Sequence, residues 1–259
     1  MIHKMHFVFF VSVMILAVLF IATQTVVTPI NAEQSTNLED APSSTSTEQI
    51  NNLNTTASPY NCRYGLSSLS SLQNQWLDYF KAGWTLSFGS SPSGTSDLNA
   101  FNSTFTPVVH IKQVKDSNNQ YLNDYYTIPS IEEIRQIARD YPGKLWFLGN
   151  EPDRVVVQDD IYPQMYAVGF HDVAAAIKEE DPTALIANAG LIQPTPGRLQ
   201  YLDIMWDTYL ALYNEPMPVD VWNMHGYILS VKAPDGSVGP ARVALGTDPA
   251  LAVLGSDLT

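Results

Sequence analysis

The stretch from Lys144 to Asp153 constrains the fold more than any other part of this sequence. It begins with an apolar run over residues 145–148 and ends in Asn-Glu-Pro-Asp. A short apolar run bounded by turn residues predicts a strand buried on both faces, as in parallel sheets. Pro152 cannot donate to a sheet ladder, so the strand should end before it. The sequence therefore predicts Asn150 and Glu151 at the carboxyl end of a buried strand, where α/β folds place their chemistry.

The first 59 residues differ in kind from the rest of the chain. Residues 1–32 carry an apolar run over residues 7–22 behind His3, Lys4 and His6, which predicts a signal peptide or, as the alternative, an uncleaved N-terminal anchor. Residues 33–59 are rich in Ser, Thr and Asn and predict a disordered linker. The remainder, residues 60–259, is long enough for one domain. We therefore expect this domain to lie outside the cell or on the outer face of a membrane, with a possible tether through the apolar run.

Charge and cysteine content limit the classes of partner. The formal charge of −13 becomes −14 without residues 1–32, because these hold one Lys and no acidic residue. So acidic a chain argues against nucleic acid as a partner. The single Cys62 excludes an internal disulfide framework and a cysteine-based metal site. The histidines show no metal-ligand spacing, so we expect neither a metal nor another cofactor.

Strand and helix patterns alternate along the domain. Strands are predicted over residues 64–68, 84–89, 107–112, 144–150, 184–190 and 219–227. Helices are predicted over residues 69–80, from the capping box that begins at Ser130, over 162–180 and over 198–213. Apolar residues at helical spacing form the predicted inner stripes of the first three: Leu69, Leu72, Trp76, Leu77 and Phe80; Ile131, Ile134, Ile137 and Ala138; and Tyr166, Phe170, Val173 and Ile177. This alternation predicts a parallel sheet with helical crossovers.

Two closures of such a sheet are open, a doubly wound sheet and a (β/α)8 barrel. No glycine-rich phosphate loop follows the first strand, which disfavours the nucleotide-binding, doubly wound type. Polar residues gather at the predicted strand ends, and a barrel would bring all those ends to one face. We therefore expect an incomplete (β/α)8 barrel of about six βα units.

The motif Leu148-Gly149-Asn150-Glu151-Pro152-Asp153, at the end of a predicted fourth strand, resembles the clan-A (β/α)8-barrel glycoside hydrolases. The resemblance covers roughly residues 60–230 and implies a secreted enzyme that cleaves O-glycosidic bonds of a carbohydrate. It implies that Glu151 is the general acid/base and that Asn150 hydrogen-bonds a sugar hydroxyl near the reacting carbon. A glycosidic oxygen needs a proton as its bond breaks, and a carboxylic acid with a raised pKa in a desolvated pocket supplies one.

Further polar residues are predicted to bind the carbohydrate. His225 and Tyr227 are two residues apart on the sixth strand and can point the same way. Trp222 is a candidate for stacking on a sugar ring, but strand alternation favours a position opposite His225, against the helices. The other predicted substrate-binding residues are His110, Asp153 and Asn188, with Gln193 as a weaker candidate.

The resemblance fails at the second carboxylate that retaining enzymes of this kind require about 5–5.5 Å from the first. In the clan it is a glutamate ending a seventh strand, whereas no Glu follows Tyr227. Asp248 and Asp257 have no convincing strand before them, and Glu215 lies at a helix end, on the wrong side of the expected barrel. We therefore expect a fragment that lacks the nucleophile.

Two other hypotheses stand beside this one. A non-catalytic carbohydrate-binding or cell-surface protein could use the same barrel. An unrelated barrel enzyme could use Glu151 and His225 as a proton-transfer pair.

Overall fold

The structure, a computed structural model, describes residues 8–13, 15–18, 61–67, 73–90 and 104–253. Over these residues the chain is a mixed α/β protein in which parallel strands alternate with helices. The alternation predicted from the sequence is therefore confirmed. The predicted linker over residues 33–59 lies outside the described residues.

Ten strands and four helices make up the described chain. The strands are β1 (Val8–Val13), β2 (Ile15–Val18), β3 (Asn61–Ser67), β4 (Ala82–Leu86), β5 (Thr104–Phe105), β6 (Val108–Lys115), β7 (Tyr121–Ile128), β8 (Leu145–Asn150), β9 (Leu185–Gly190) and β10 (Asn223–His225). The helices are α1 (Gln73–Phe80), α2 (Ile131–Asp140), α3 (Pro163–Glu180) and α4 (Pro196–Tyr213), and a short 3-10 turn spans Pro249–Leu251.

Within the sheets β3-β4-β5 and β7-β6-β8-β9, parallel strands that follow one another in the chain pair with each other. β3 pairs with β4, β4 with β5, β6 with β8 and β8 with β9, all in parallel. Two isolated parallel bridges, Ala187–Val221 and Leu191–Met224, then join β9 to the segment around β10. The predicted fourth strand is thus β8, with a parallel neighbour on each side.

A hairpin that the sequence patterns did not indicate interrupts this order at β6. β6 pairs with β8 through Val108 and Val109 only, and its later part pairs with the antiparallel strand β7. β7 therefore occupies the edge of β6 opposite β8. The parallel strands form separate sheets, and they do not close into a barrel within the described part of the chain.

The helices cover one face of the sheet and bury the largest apolar cluster. Trp146 and Leu148 of β8 belong to this cluster, whereas Phe147 belongs to a smaller one on the other face. Both faces of β8 are therefore buried, as its apolar run predicts. The predicted inner stripe of α3 is confirmed, since all four of its residues are buried: Tyr166, Phe170, Val173 and Ile177.

α2 begins at the capping box that the sequence predicts. The Ser130 side chain accepts a hydrogen bond from the Glu133 N–H, and the Glu133 carboxylate accepts one from the Ser130 N–H. Ile134 and Ala138 are buried beneath the helix, and Ile131 and Ile137 pack at the border of the core. α2 thus has the predicted cap and the predicted inner stripe.

The inner stripe predicted for α1 is only partly correct. Leu77 is buried, but Trp76 and Phe80 are exposed and stack on each other with ring centroids 5.6 Å apart. α1 packs mainly against β3 and β4.

In the segment interpreted as a signal peptide or anchor, the described residues form β1 and β2, and β1 pairs in parallel with β10. Among the helices that the structure describes, none is long and apolar enough to cross a bilayer. Cleavage and membrane attachment of residues 1–32 stay predictions.

Candidate functional site

Glu151 follows β8 directly and is almost fully buried, with 3% of its surface exposed. Its backbone is in the left-handed region at φ 47°, which is uncommon for a residue with a side chain. Its N–H donates to the Gly190 carbonyl at 2.9 Å, so the end of β9 holds the Glu151 backbone in place. The carboxylate is therefore fixed at the carboxyl end of the parallel strands.

Two basic side chains contact the Glu151 carboxylate. Oε1 lies 3.0 Å from Nδ1 of His225, and Oε2 accepts a hydrogen bond of 2.9 Å from Nη1 of Arg154. An ionised carboxylate can only accept, so the His225 Nδ1 carries the proton of its bond. The site thus joins the end of β8 to the end of β10.

Burial alone raises the pKa of Glu151, but the hydrogen bonds and charges of His225 and Arg154 lower it by more. The net pKa lies below the ordinary value for a glutamate. The raised pKa that the general-acid role led us to expect is therefore wrong for this arrangement. Glu151 is ionised at neutral pH and, as it stands, is a hydrogen-bond acceptor or base.

Two glycines make the close packing of this site possible. Gly149 has φ 118°, and a Cβ there would lie 2.7 Å from the Ala189 Cβ. A Cβ at Gly190 would lie 2.5 Å from Nε2 of His225. Glycine at these strand ends therefore permits both the turn into Glu151 and the approach of the His225 ring.

A second polar group lies beside the first and centres on Asp159, which is 1% exposed. Its Oδ2 accepts from the Asn150 N–H and its Oδ1 from Nδ1 of His110, both at 2.6 Å. Lys112 Nζ lies 3.8 Å from the same Oδ1. Asp159 therefore ties β6 to the end of β8, one residue before Glu151.

His110 is charged when its hydrogen bonds are complete. Its Nδ1 faces the Asp159 carboxylate and its Nε2 faces the Phe88 carbonyl at 3.2 Å, and both oxygens can only accept. The hydrogen bond to Asp159 raises the pKa of His110 more than burial lowers it. His110 lies within β6 rather than at a strand end as predicted, because β6 continues to Lys115 in the hairpin.

Of the remaining predicted residues, one lies beside His225 and the others make structural contacts. Tyr227 lies beside His225, with ring centroids 5.9 Å apart. Asn188 is fully buried and exchanges hydrogen bonds with the Asn223 backbone, so it joins β9 to β10. Gln193 likewise holds the Leu229 backbone. Trp222 packs against the helical core, as predicted.

Asp153 is fully enclosed and lies against Arg198, whose Nε donates to its Oδ2 at 2.9 Å. Burial raises the pKa of Asp153, the nearby Arg198 charge opposes this, and the net pKa is raised. Its backbone carbonyl accepts from the Leu245 N–H at 2.9 Å. In this arrangement Asp153 stabilises the protein interior and does not face a ligand.

The carboxylates considered for a nucleophile do not join Glu151. Asp248 caps the turn Pro249–Leu251 by accepting from the Ala250 N–H at 2.8 Å. Glu215 is exposed beyond the end of α4. Asp257 lies outside the described residues.

Three residues of the site, Arg154, Gln158 and Asp159, carry no strand or helix pattern in the sequence and lie in the loop after β8. The available signal was the pair Asp159-Asp160 just before the apolar start of α3, since acidic residues beside a buried segment need partners. No group of three His, Cys, Asp or Glu suited to a metal occurs in the described ranges.

Comparisons with protein families, with curated proteins and with solved structures found no match to this chain.

Proposed function

We propose that this chain is a glycoside hydrolase of the (β/α)8 type and that Glu151 exchanges the proton of the glycosidic oxygen. The observation that carries the proposal is a buried carboxylate at the carboxyl end of β8, hydrogen-bonded to a histidine from the end of β10. The order of the parallel strands also supports it, because successive strands of a (β/α)8 barrel are neighbours. A doubly wound sheet would instead reverse its strand order.

The proton must reach Glu151 before the glycosidic bond breaks. Since Asp248 and Glu215 do not join Glu151, water attacks the anomeric carbon in this proposal and releases its proton to solvent, while the proton of Glu151 goes to the leaving oxygen. Since His225 and Arg154 keep the pKa of Glu151 low, the acid form is populated at acidic pH or after substrate moves Arg154 away. His225 then remains hydrogen-bonded to Glu151 and holds the orientation of the Glu151 carboxyl group. We therefore expect hydrolysis to be faster at mildly acidic than at neutral pH.

Asn150 takes the role of sugar-binding amide in this proposal. Its Nδ2 donates to Oε1 of Gln158 at 3.0 Å, and its backbone N–H is held by Asp159. These two bonds fix the amide beside Glu151, as a residue that positions a sugar hydroxyl requires.

The test is hydrolysis of a panel of neutral polysaccharides by the wild-type chain and by Glu151→Gln, followed as released reducing ends. We expect Glu151→Gln to lower the rate by about 10²–10⁴-fold, because it removes the proton donor. Glu132→Gln is the matched control, since that side chain is 83% exposed at the start of α2. Equal rates for wild type and Glu151→Gln would refute the proposal.

A second function, carbohydrate binding without turnover, is favoured by one observation. Glu151 is 3% exposed and ionised, which suits a structural ion group better than a proton donor. Calorimetry with the same glycans, beside the reducing-sugar assay, separates the two functions. Binding with no hydrolysis at any pH would favour this second function. The 3.0 Å contact between Glu151 and His225 also supports the third hypothesis, in which these two side chains transfer protons in an unrelated barrel enzyme.

A further inference from the structure

A pocket of about 440 Å³ lies between the β6–β7 hairpin and the loop after β8. Its lining includes Lys112, Lys115, Tyr126, Val156, Asp159 and Asp160. The volume is within the range of small-ligand sites in proteins. Glu151 is not among the lining residues, so this pocket is distinct from the position of the proton donor.

The charges in the pocket are paired. Lys115 Nζ lies 2.5 Å from Asp160 Oδ2, and Lys112 Nζ lies 3.8 Å from Asp159 Oδ1. Asp159 is held in addition by His110 and by the Asn150 N–H, so both of its oxygens are already bonded and neither is free to hold a metal ion. The two lysines and the carboxylate of Asp160 still present hydrogen-bond donors and acceptors, which suits a ligand with many hydroxyl groups.

Two apolar side chains at the pocket are open to solvent. Tyr126 is 48% exposed and Val156 is 52% exposed. An aromatic ring and an aliphatic side chain that line one pocket can contact the C–H faces of a sugar ring while the charged groups meet its hydroxyls. The mixture therefore matches a neutral pyranose better than a purely apolar molecule.

The backbone of the pocket loop is strained. Val156, Gln158 and Asp160 all have positive φ, at 62°, 56° and 48°. Such conformations persist where surrounding contacts impose them, and they gather at ligand-binding loops. Asp159, buried between them, supplies those contacts through His110 and Asn150.

The pocket is connected to the proposed site through Asn150. Gln158 and Asp159 belong to the pocket wall, and both hydrogen-bond Asn150, the residue before Glu151. The pocket wall is therefore hydrogen-bonded to the residue that precedes the carboxylate.

We propose that this pocket binds one uncharged pyranose ring of an oligosaccharide substrate. The proposal rests on the function proposed for Glu151 and adds a second contact point for the same substrate. It makes Tyr126 a residue that determines binding of longer oligosaccharides.

The test is calorimetry of the full chain with cellohexaose, xylohexaose, mannohexaose and laminarihexaose. For the glycan that binds wild type, we expect Tyr126→Ala to weaken binding about tenfold, and Tyr126→Phe to retain it, because phenylalanine keeps the ring. Leu122→Ala is the matched control, since Leu122 is 43% exposed on the same strand and does not line the pocket. In hydrolysis, Tyr126→Ala should raise KM and leave kcat unchanged.

Equal affinities of Tyr126→Ala and wild type, or no wild-type binding to any of the four glycans, would overturn the pocket proposal. The function of Glu151 fails separately. If Tyr126→Ala weakens binding but Glu151→Gln hydrolyses as fast as wild type, the pocket stands as a sugar site and the proton-donor role is refuted.

Discussion

At the scale of single residues, the ionisation of Glu151 is decided by its two basic neighbours. Burial at 3% exposure would favour the neutral acid, yet His225 and Arg154 together favour the carboxylate. Arg154 is itself 27% exposed, so of the two contacts it is the one that a ligand can displace more easily. The proton on Glu151 is thus coupled to the position of Arg154.

Replacing Arg154 by methionine should raise the pKa of Glu151, because the variant loses a cation that stabilises the carboxylate. The limb of the pH–rate profile on which Glu151 loses its proton should then move to higher pH. The measurement is the rate of hydrolysis between pH 4 and 8 for wild type and Arg154→Met. An unmoved profile would show that Arg154 does not control this proton.

His110 makes a pH-dependent contribution to stability. Its folded-state pKa is raised, mainly by Asp159, so its stabilisation is fully present below the unfolded value of 6.5. That stabilisation is lost as the pH rises through the folded-state pKa. We expect His110→Gln to destabilise the protein most at pH 5.5 and progressively less at higher pH, measured by urea unfolding. A difference that stays constant with pH would contradict the charged state of His110.

The sequence identified part of the site because strand ends can be found by pattern. Asn150 and His225 are the last residues of their strands and Glu151 follows β8 directly, and the structure places all three at one edge. Arg154 and Asp159 could not be found in this way, because the loop after β8 depends on positive φ values that carry no periodic signal.

At the scale of elements, apolar periodicity predicted the strands and helices of the central part well. The stripes of α2 and α3 pack against the core as expected, because each helix has one apolar face and a sheet to cover.

The sequence patterns did not predict β7, although Asp116 and Asn119 mark the turn before it. The Asp116 side chain accepts from two N–H groups of the turn, and Asn119 has φ 63°. The side chains of β7 are all exposed or only partly buried, so the strand lacks the apolar–polar alternation by which a half-buried strand is predicted.

The capping box of α2 offers a direct measure of an element's stability. We expect Ser130→Ala to lower the free energy of unfolding by about 1 kcal/mol, because the first helical turn loses its side-chain acceptor. Urea denaturation gives the value. Glu132→Ala, in the same turn but outside the box, is the control and should change the stability less.

At the scale of the whole molecule, the buried pair Asp153–Arg198 links three distant parts of the chain. Besides Asp153, the Arg198 guanidinium donates to the carbonyls of Ala241 and Arg242 at 2.7 and 2.9 Å. The loop after β8, the start of α4 and the C-terminal segment therefore meet at one charged centre. The sequence could not predict this, because the residues are far apart and follow no pattern.

Arg198→Met should destabilise the protein by about 3–5 kcal/mol, because it leaves the Asp153 carboxylate buried without its cation. Thermal or urea unfolding measures the loss. Arg139→Met is the matched control, since Arg139 forms its ion pairs at the surface and should change stability little. Similar losses in both variants would mean that the buried pair is not a stabilising centre.

The loop of left-handed residues after β8 also sets stability against function. Val156 is β-branched, so its positive φ is costly, and its side chain is half exposed. A sequence selected for stability alone would carry asparagine or glycine at such a position. Engineering that relaxes this loop should therefore produce a more heat-resistant protein, and the gain should come with a change in the shape of the pocket it borders.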